Sequence, residues 1–158
     1  MSVDWEGILA RLRGYPLRIN RLLPPCPDEM VAAVQSALGR FPEDLAGMVR
    51  NFNGGKLFVK GIQMVCIFGL SAAQPLPPER GYDWYIDKFT PKWRAAGSGR
   101  DSDWAFAMMN YGGLIIMHGD GSIAEWDTAQ RIWGARSPNL ATWFETILRE
   151  GDAYMKDV

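Results

Sequence analysis

Apolar side chains at helical spacing open the chain. Trp5, Ile8, Leu9 and Leu12 share one helix face, with Ser2 placed to cap it and Gly14 to stop it. Leu22-Leu23-Pro24-Pro25-Cys26-Pro27 cannot continue a helix, because stacked prolines remove donors and impose extended backbone. Asp28 is then a suitable N-cap for a second helix carrying Met30, Val31, Val34 and Leu38, with Gly39 ending it. Phe41-Pro42-Glu43-Asp44-Leu45 opens a third, with proline in its first turn and acids at its positive end. Leu45, Met48, Val49 and Phe52 continue its apolar face, and Asn53-Gly54-Gly55 stops it.

The period then becomes extended. Residues 56–59 and 62–68 read as strands joined at Gly61. Residues 71–103 hold scattered prolines and glycines, within which 82–94 reads as a short helix interrupted or ended near Pro91. Residues 104–109 and 114–117 are apolar strands around a turn at 110–113. A second turn at 119–121 leads into a strand over 122–126, completing a three-strand meander. Ser137-Pro138 starts a final helix with Leu140, Trp143, Phe144, Ile147 and Leu148 on one stripe, and Gly151 closes it. The order of elements predicts an α+β fold: one domain over 1–158, a mainly antiparallel sheet with N-terminal helices and a C-terminal helix packed on it. Because the meander strands are apolar on both faces, helices are expected to cover at least one side.

Composition narrows the function classes. A chain of 158 residues is long enough for one well-buried core without a disulfide or metal staple. Seventeen basic against eighteen acidic residues give a net charge of -1, which argues against an electrostatically driven nucleic-acid or membrane binder. Two cysteines and one histidine exclude a four-ligand Cys/His zinc site within one chain. Cys26 and Cys66 read as buried thiols in a reducing compartment. The first residues lack a basic segment followed by an apolar one, and the apolar stretch 62–70 is too short to span a bilayer. A cytoplasmic protein without cofactor or metal is the expectation.

Few residues suggest chemistry. Gly119-Asp120-Gly121-Ser122-Ile123-Ala124 matches a dinucleotide pattern in letters, but a strand rather than a helix follows, so it reads as a hairpin turn. His118 with Asp120 suggests a proton relay, half a metal site, or a surface or turn pair, and the last is the commoner arrangement. Pairing a cysteine nucleophile with His118 as base is a weaker alternative, since no neighbour activates either thiol. Asp120, Glu125 and Asp127 can do acid–base work or hold Mg²⁺ only if the fold brings them together; otherwise Glu125 and Asp127 form a solvated edge or a protein-binding patch.

The aromatic content is the most unusual feature, with seven tryptophans among the aromatic residues. Trp5, Trp104 and Trp143 fall on core stripes. Trp84, Tyr85, Phe89 and Trp93 lie among charges in the irregular segment, either as interface anchors or as a cap on the core beneath a long loop. Residues 80–101 carry five basic and three acidic groups, while 119–158 carry four basic and seven acidic, a polarity that suits a protein partner. The candidate partner-binding residues are therefore Trp84, Tyr85, Trp93, Glu125 and Asp127, with no catalytic residue.

The order of motifs resembles the SUKH superfamily, also called the Smi/Knr family. It is carried by Leu23-Pro24-Pro25, Leu38-Gly39, Phe41-Pro42-Glu43-Asp44-Leu45 and Asn53-Gly54-Gly55. A Trp-led strand, a Gly-Gly turn, an apolar strand and an Asp-Gly turn before a Trp-Phe helix then follow, so that the likeness runs from about Leu22 to Gly151. Phe41 replaces the usual Leu, and residues 71–103 match no part of the pattern. For bacterial members the resemblance implies an immunity protein that binds and neutralises a polymorphic or contact-dependent toxin. For fungal ones it implies an interaction module in signalling and cell-wall synthesis. It transfers no catalytic residue. Toxin immunity by stoichiometric binding is thus the leading expectation, with a monomer or weak homodimer, a protein partner and neither nucleic acid nor membrane. A regulatory or scaffolding module comes second. A small enzyme, requiring His118, Asp120, Glu125 or Asp127 to converge, comes third.

Overall fold

Among the described residues, seven strands pair in chain order into one antiparallel sheet. The computed structural model describes residues 2–16, 18–71 and 84–156. Its elements are α1 (Trp5–Arg13), β1 (Arg21–Leu22), α2 (Asp28–Leu38), α3 (Glu43–Asn51), β2 (Gly55–Lys60), β3 (Ile62–Ile67), α4 (Ile86–Ala95), β4 (Trp104–Met109), β5 (Gly113–Met117), β6 (Ile123–Asp127), β7 (Ile132–Ser137) and α5 (Leu140–Met155). The α+β class with an antiparallel sheet is as the sequence predicts.

The helix ends correct the sequence reading in detail. Asp4, not Ser2, caps α1, its Oδ1 accepting the Gly7 N–H at 3.0 Å. Pro27 holds the N-cap position of α2, so Asp28 falls in the first turn and turns its carboxylate to Arg50 at 2.7 Å. Gly39 ends that helix with φ +102°, a conformation that favours glycine. Asn53 is buried and holds Leu70 from both sides, accepting its N–H at 2.7 Å and donating to its carbonyl at 3.0 Å. Gly54 follows at φ +81°, where a Cβ would stand 2.6 Å from the Gly69 nitrogen. The Asn-Gly-Gly stop is therefore also a clasp between the end of α3 and the exit of β3.

The sheet is buried at its centre. All five residues of β5 are buried, and since side chains alternate, both of its faces are covered there. On β4, Phe106 meets Trp143 of α5 at 5.1 Å. A register shift between Ala105 and Ala107 frees the Ala105 N–H, which donates to the buried Thr90 hydroxyl of α4 at 3.1 Å. Trp5 ties α1 to the far end of the chain, edge-on to Phe52 at 6.0 Å and Phe144 at 5.4 Å.

Three local expectations are overturned. Pro91 lies inside α4, which runs on to Ala95; the lost hydrogen bond is tolerated because Ile86, Thr90 and Trp93 bury that helix's inner face. Of the start expected at 82, residues 82–83 fall outside the described residues, and Tyr85 is extended, so that α4 begins at Ile86. Asn139 caps α5 by accepting the Thr142 N–H at 2.8 Å, while Ser137 ends β7. Gly151 does not stop α5 but lies within it, where a Cβ would stand 2.2 Å from the Phe58 ring. The helix therefore needs glycine there for close approach.

The strand β7 adds a fourth member to the expected meander. Its side chains are mostly exposed, so it carries no apolar alternation for sequence to reveal. The turn before it makes it. The Asp127 carboxylate accepts the N–H groups of Ala129 and Gln130 at 2.9 and 2.8 Å, its carbonyl accepts that of Arg131 at 2.7 Å, and Arg131 adopts φ +58°. Among the described residues no helix is long and apolar enough to cross a membrane.

Candidate functional site

The densest polar arrangement forms where the loop after α4 meets the β5–β6 turn. Asp103 immediately precedes β4 and is only 1% exposed. Its Oδ2 accepts Trp93 Nε1–H and the Arg100 N–H, each at 3.0 Å, while its Oδ1 lies 2.8 Å from His118 Nδ1. Its carbonyl accepts from Arg94 Nε at 2.9 Å, and Arg94 Nη1 continues to the Leu38 carbonyl at 2.8 Å. The Arg94 guanidinium also lies 4.6 Å over the Trp104 ring. Burial lowers the Arg94 pKa, with Asp101 and Asp103 opposing the shift; an arginine so placed remains a cation at neutral pH. The Asp103 carboxylate thus joins α4, the loop after it and the β5–β6 hairpin, and its backbone carbonyl, through Arg94, reaches the end of α2.

Tryptophans wall this network. Trp93, Trp126 and Trp133 meet edge-on with ring centroids 5.0 to 5.7 Å apart, and the His118 ring lies 5.2 Å from Trp133. His118 is fixed at the hairpin by its own backbone, which donates to Ser122 at 2.8 Å and accepts from Gly121 at 2.9 Å. Two clefts adjoin the pair. One, of about 590 Å³, runs between the α2–α3 connection and the hairpin, past Arg40, Asp44, Arg94 and Trp104. The other, of about 450 Å³, opens toward β7 past Arg100, Trp133 and Arg136.

The acids singled out from sequence do not converge. Asp120 makes no hydrogen bond to His118 among the described residues and accepts Ser122 N–H at 2.9 Å and Ser122 Oγ–H at 2.6 Å, bonds that lower its pKa. The His118–Asp120 relay is therefore replaced by a His118–Asp103 pair. Glu125 accepts the Tyr111 hydroxyl in an exposed hydrogen bond. Asp127 is occupied in its turn. Among the described residues no group of three His, Cys, Asp or Glu side chains is placed to hold a metal ion. The turn at 119–121 joins two antiparallel strands, as the hairpin reading expects. Cys26 and Cys66 are buried and no disulfide joins them; burial, with Asp28 next, pushes the Cys26 thiol up to about 11, so it stays protonated at neutral pH.

The candidate aromatics also divide. Trp93 is 4% exposed and Tyr85 1% exposed, so both are core residues, with Tyr85 bridging to Gly69 and its hydroxyl unpartnered among the described residues. Trp84 is half-buried, 6.3 Å from Phe68. The large apolar side chains most open to solvent are instead Ile62, Tyr111 and Ile132. Sequence reasoning passed over Asp103, Arg100, Trp133 and Arg136. Asp103 lies at the end of an irregular segment without a motif, and the others gain meaning only once β7 is placed beside the hairpin. No family model matches the chain, and no curated protein is significantly similar to it.

Proposed function

We propose that this protein is an immunity protein of the SUKH type, which binds a cognate toxin domain stoichiometrically and so neutralises it. The observation that supports the reading best is the outer edge of β7. It is the last strand of the sheet, six residues long and free of proline, with Trp133 half-buried, Ile132 54% exposed and Arg136 at the margin of a polar cleft. Edge strands of that kind pair readily with another chain, and aromatic and arginine side chains beside them are what interfaces concentrate. The motifs behind the resemblance also have definite work in the fold: Gly39 ends α2, and Asn53-Gly54 clasps the sheet.

The test is affinity capture of the tagged full chain from its host, followed by expression of the recovered partner alone and together with this protein. One stoichiometric partner that poisons cells alone and is silenced by co-expression carries the reading. Several partners at low occupancy, none of them toxic, would replace it with the scaffolding one.

A further inference from the structure

The cleft between the hairpin and β7 contains acids and bases that are not equally satisfied. Asp103 already serves three donors, and Asp120 accepts twice from Ser122, both times through Oδ1. The guanidinium groups of Arg100 and Arg136, which line the same cleft, have no hydrogen-bond or ion-pair partner among the described residues. Ser98 and Ser102 line the cleft as well, so their hydroxyls add donors to those of the two arginines. Trp133 closes one side, held against Trp93, Trp126 and His118. Donors without acceptors, beside an aromatic wall fixed by packing, make a receptor for an oxyanion.

We infer that this cleft receives a carboxylate, the side chain of an Asp or Glu on the partner protein, held between Arg100 and Arg136. The planar guanidinium fork matches a carboxylate in two parallel hydrogen bonds. Arg136 belongs to β7 itself, so a segment docked along that edge brings its side chains directly to the cleft. The nature of the occupant rests on the proposal that the partner is a protein; the oxyanion site does not.

The experiment uses the ¹⁵N-labelled full chain and three probes: capped triglutamate, capped triglutamine and inorganic phosphate. The Nε–H signals of Arg100 and Arg136 and the indole N–H of Trp133 are followed. Triglutamate is expected to shift all three saturably, with triglutamine about tenfold weaker or more, since it cannot form charge-assisted bonds. The Trp133 indole shift, the one of the three signals that the variant retains, should vanish in Arg100→Gln/Arg136→Gln, whose exposed positions leave the remaining spectrum unchanged. No saturable shift, equal shifts from triglutamine, or shifts that survive the double variant would overturn the site. Shifts from phosphate alone would overturn the carboxylate occupant and assign the cleft to phosphate. No partner is needed for the titration, so its failure leaves the immunity reading standing. Conversely, a chain that takes triglutamate but silences no toxin loses only that reading.

Discussion

Asp103 and His118, fifteen residues apart in the chain, meet through Oδ1 and Nδ1 at 2.8 Å, with the carboxylate buried and the imidazole at the lip of two clefts. The same carboxylate takes the Trp93 indole and the Arg100 backbone, so the pair is first a structural anchor. Replacing Asp103 with Ala leaves the buried Trp93 indole and the part-buried Arg100 N–H without an acceptor. Urea unfolding should show a loss of about 2–4 kcal/mol, with Asp103→Asn losing less. A loss below about 1 kcal/mol would mean that water replaces the carboxylate freely.

Trp93 was an interface candidate from sequence, but its burial and its bond to Asp103 make it a core residue. Trp93→Ala should cost about 3–5 kcal/mol of stability. Trp93→Phe should cost less, because it keeps the ring contacts and gives up only the indole donor. A stable, folded Trp93→Ala protein, checked by thermal unfolding, would return this residue to the surface.

Gly151 and Phe58 touch so closely that a methyl group cannot be added without moving the ring. Gly151→Ala should destabilise by about 1–3 kcal/mol despite alanine's higher helix propensity. Phe58→Leu should partly relieve that clash, so a double-mutant cycle should be non-additive.

The Cys26 thiol supplies a pH signature. Its folded pKa, about 11, is raised above the ordinary 9.0, so the native state binds the proton more tightly than the unfolded chain. The associated stability is fully present below pH 9 and is lost as pH rises toward 11. Cys26→Ala should flatten the fall in stability between pH 9 and pH 11 relative to the native chain. Equal slopes in both proteins would contradict the raised value.

Much of the fold was legible because its signals are local. The stripes of α1, α2, α3 and α5, the Gly61 turn and the buried strands β3 to β6 all follow from spacing. What stayed hidden depends on tertiary partners. Gly151 reads as a stop unless Phe58 is known to lie opposite it, and Pro91 reads as a break unless α4 is known to be packed. At the candidate site, His118 and the turn around Asp120 were visible. Asp103 was not, because its partners come from Trp93, Arg100 and His118, which only the folded chain assembles. Nor was β7, whose exposed side chains leave no pattern.

The central claim is that the protein neutralises a partner by docking it on the β7 edge, and growth rescue with surface variants tests it most directly. The captured partner is co-expressed with the native chain, with Ile132→Asp/Arg136→Glu, and with Ile62→Asp as a control at the β2–β3 hairpin, all at exposed positions. The β7 variant is expected to fold but fail to rescue, binding more weakly by about 2 kcal/mol or more, while Ile62→Asp rescues fully. Full rescue by the folded β7 variant, or failure confined to the control, would contradict it.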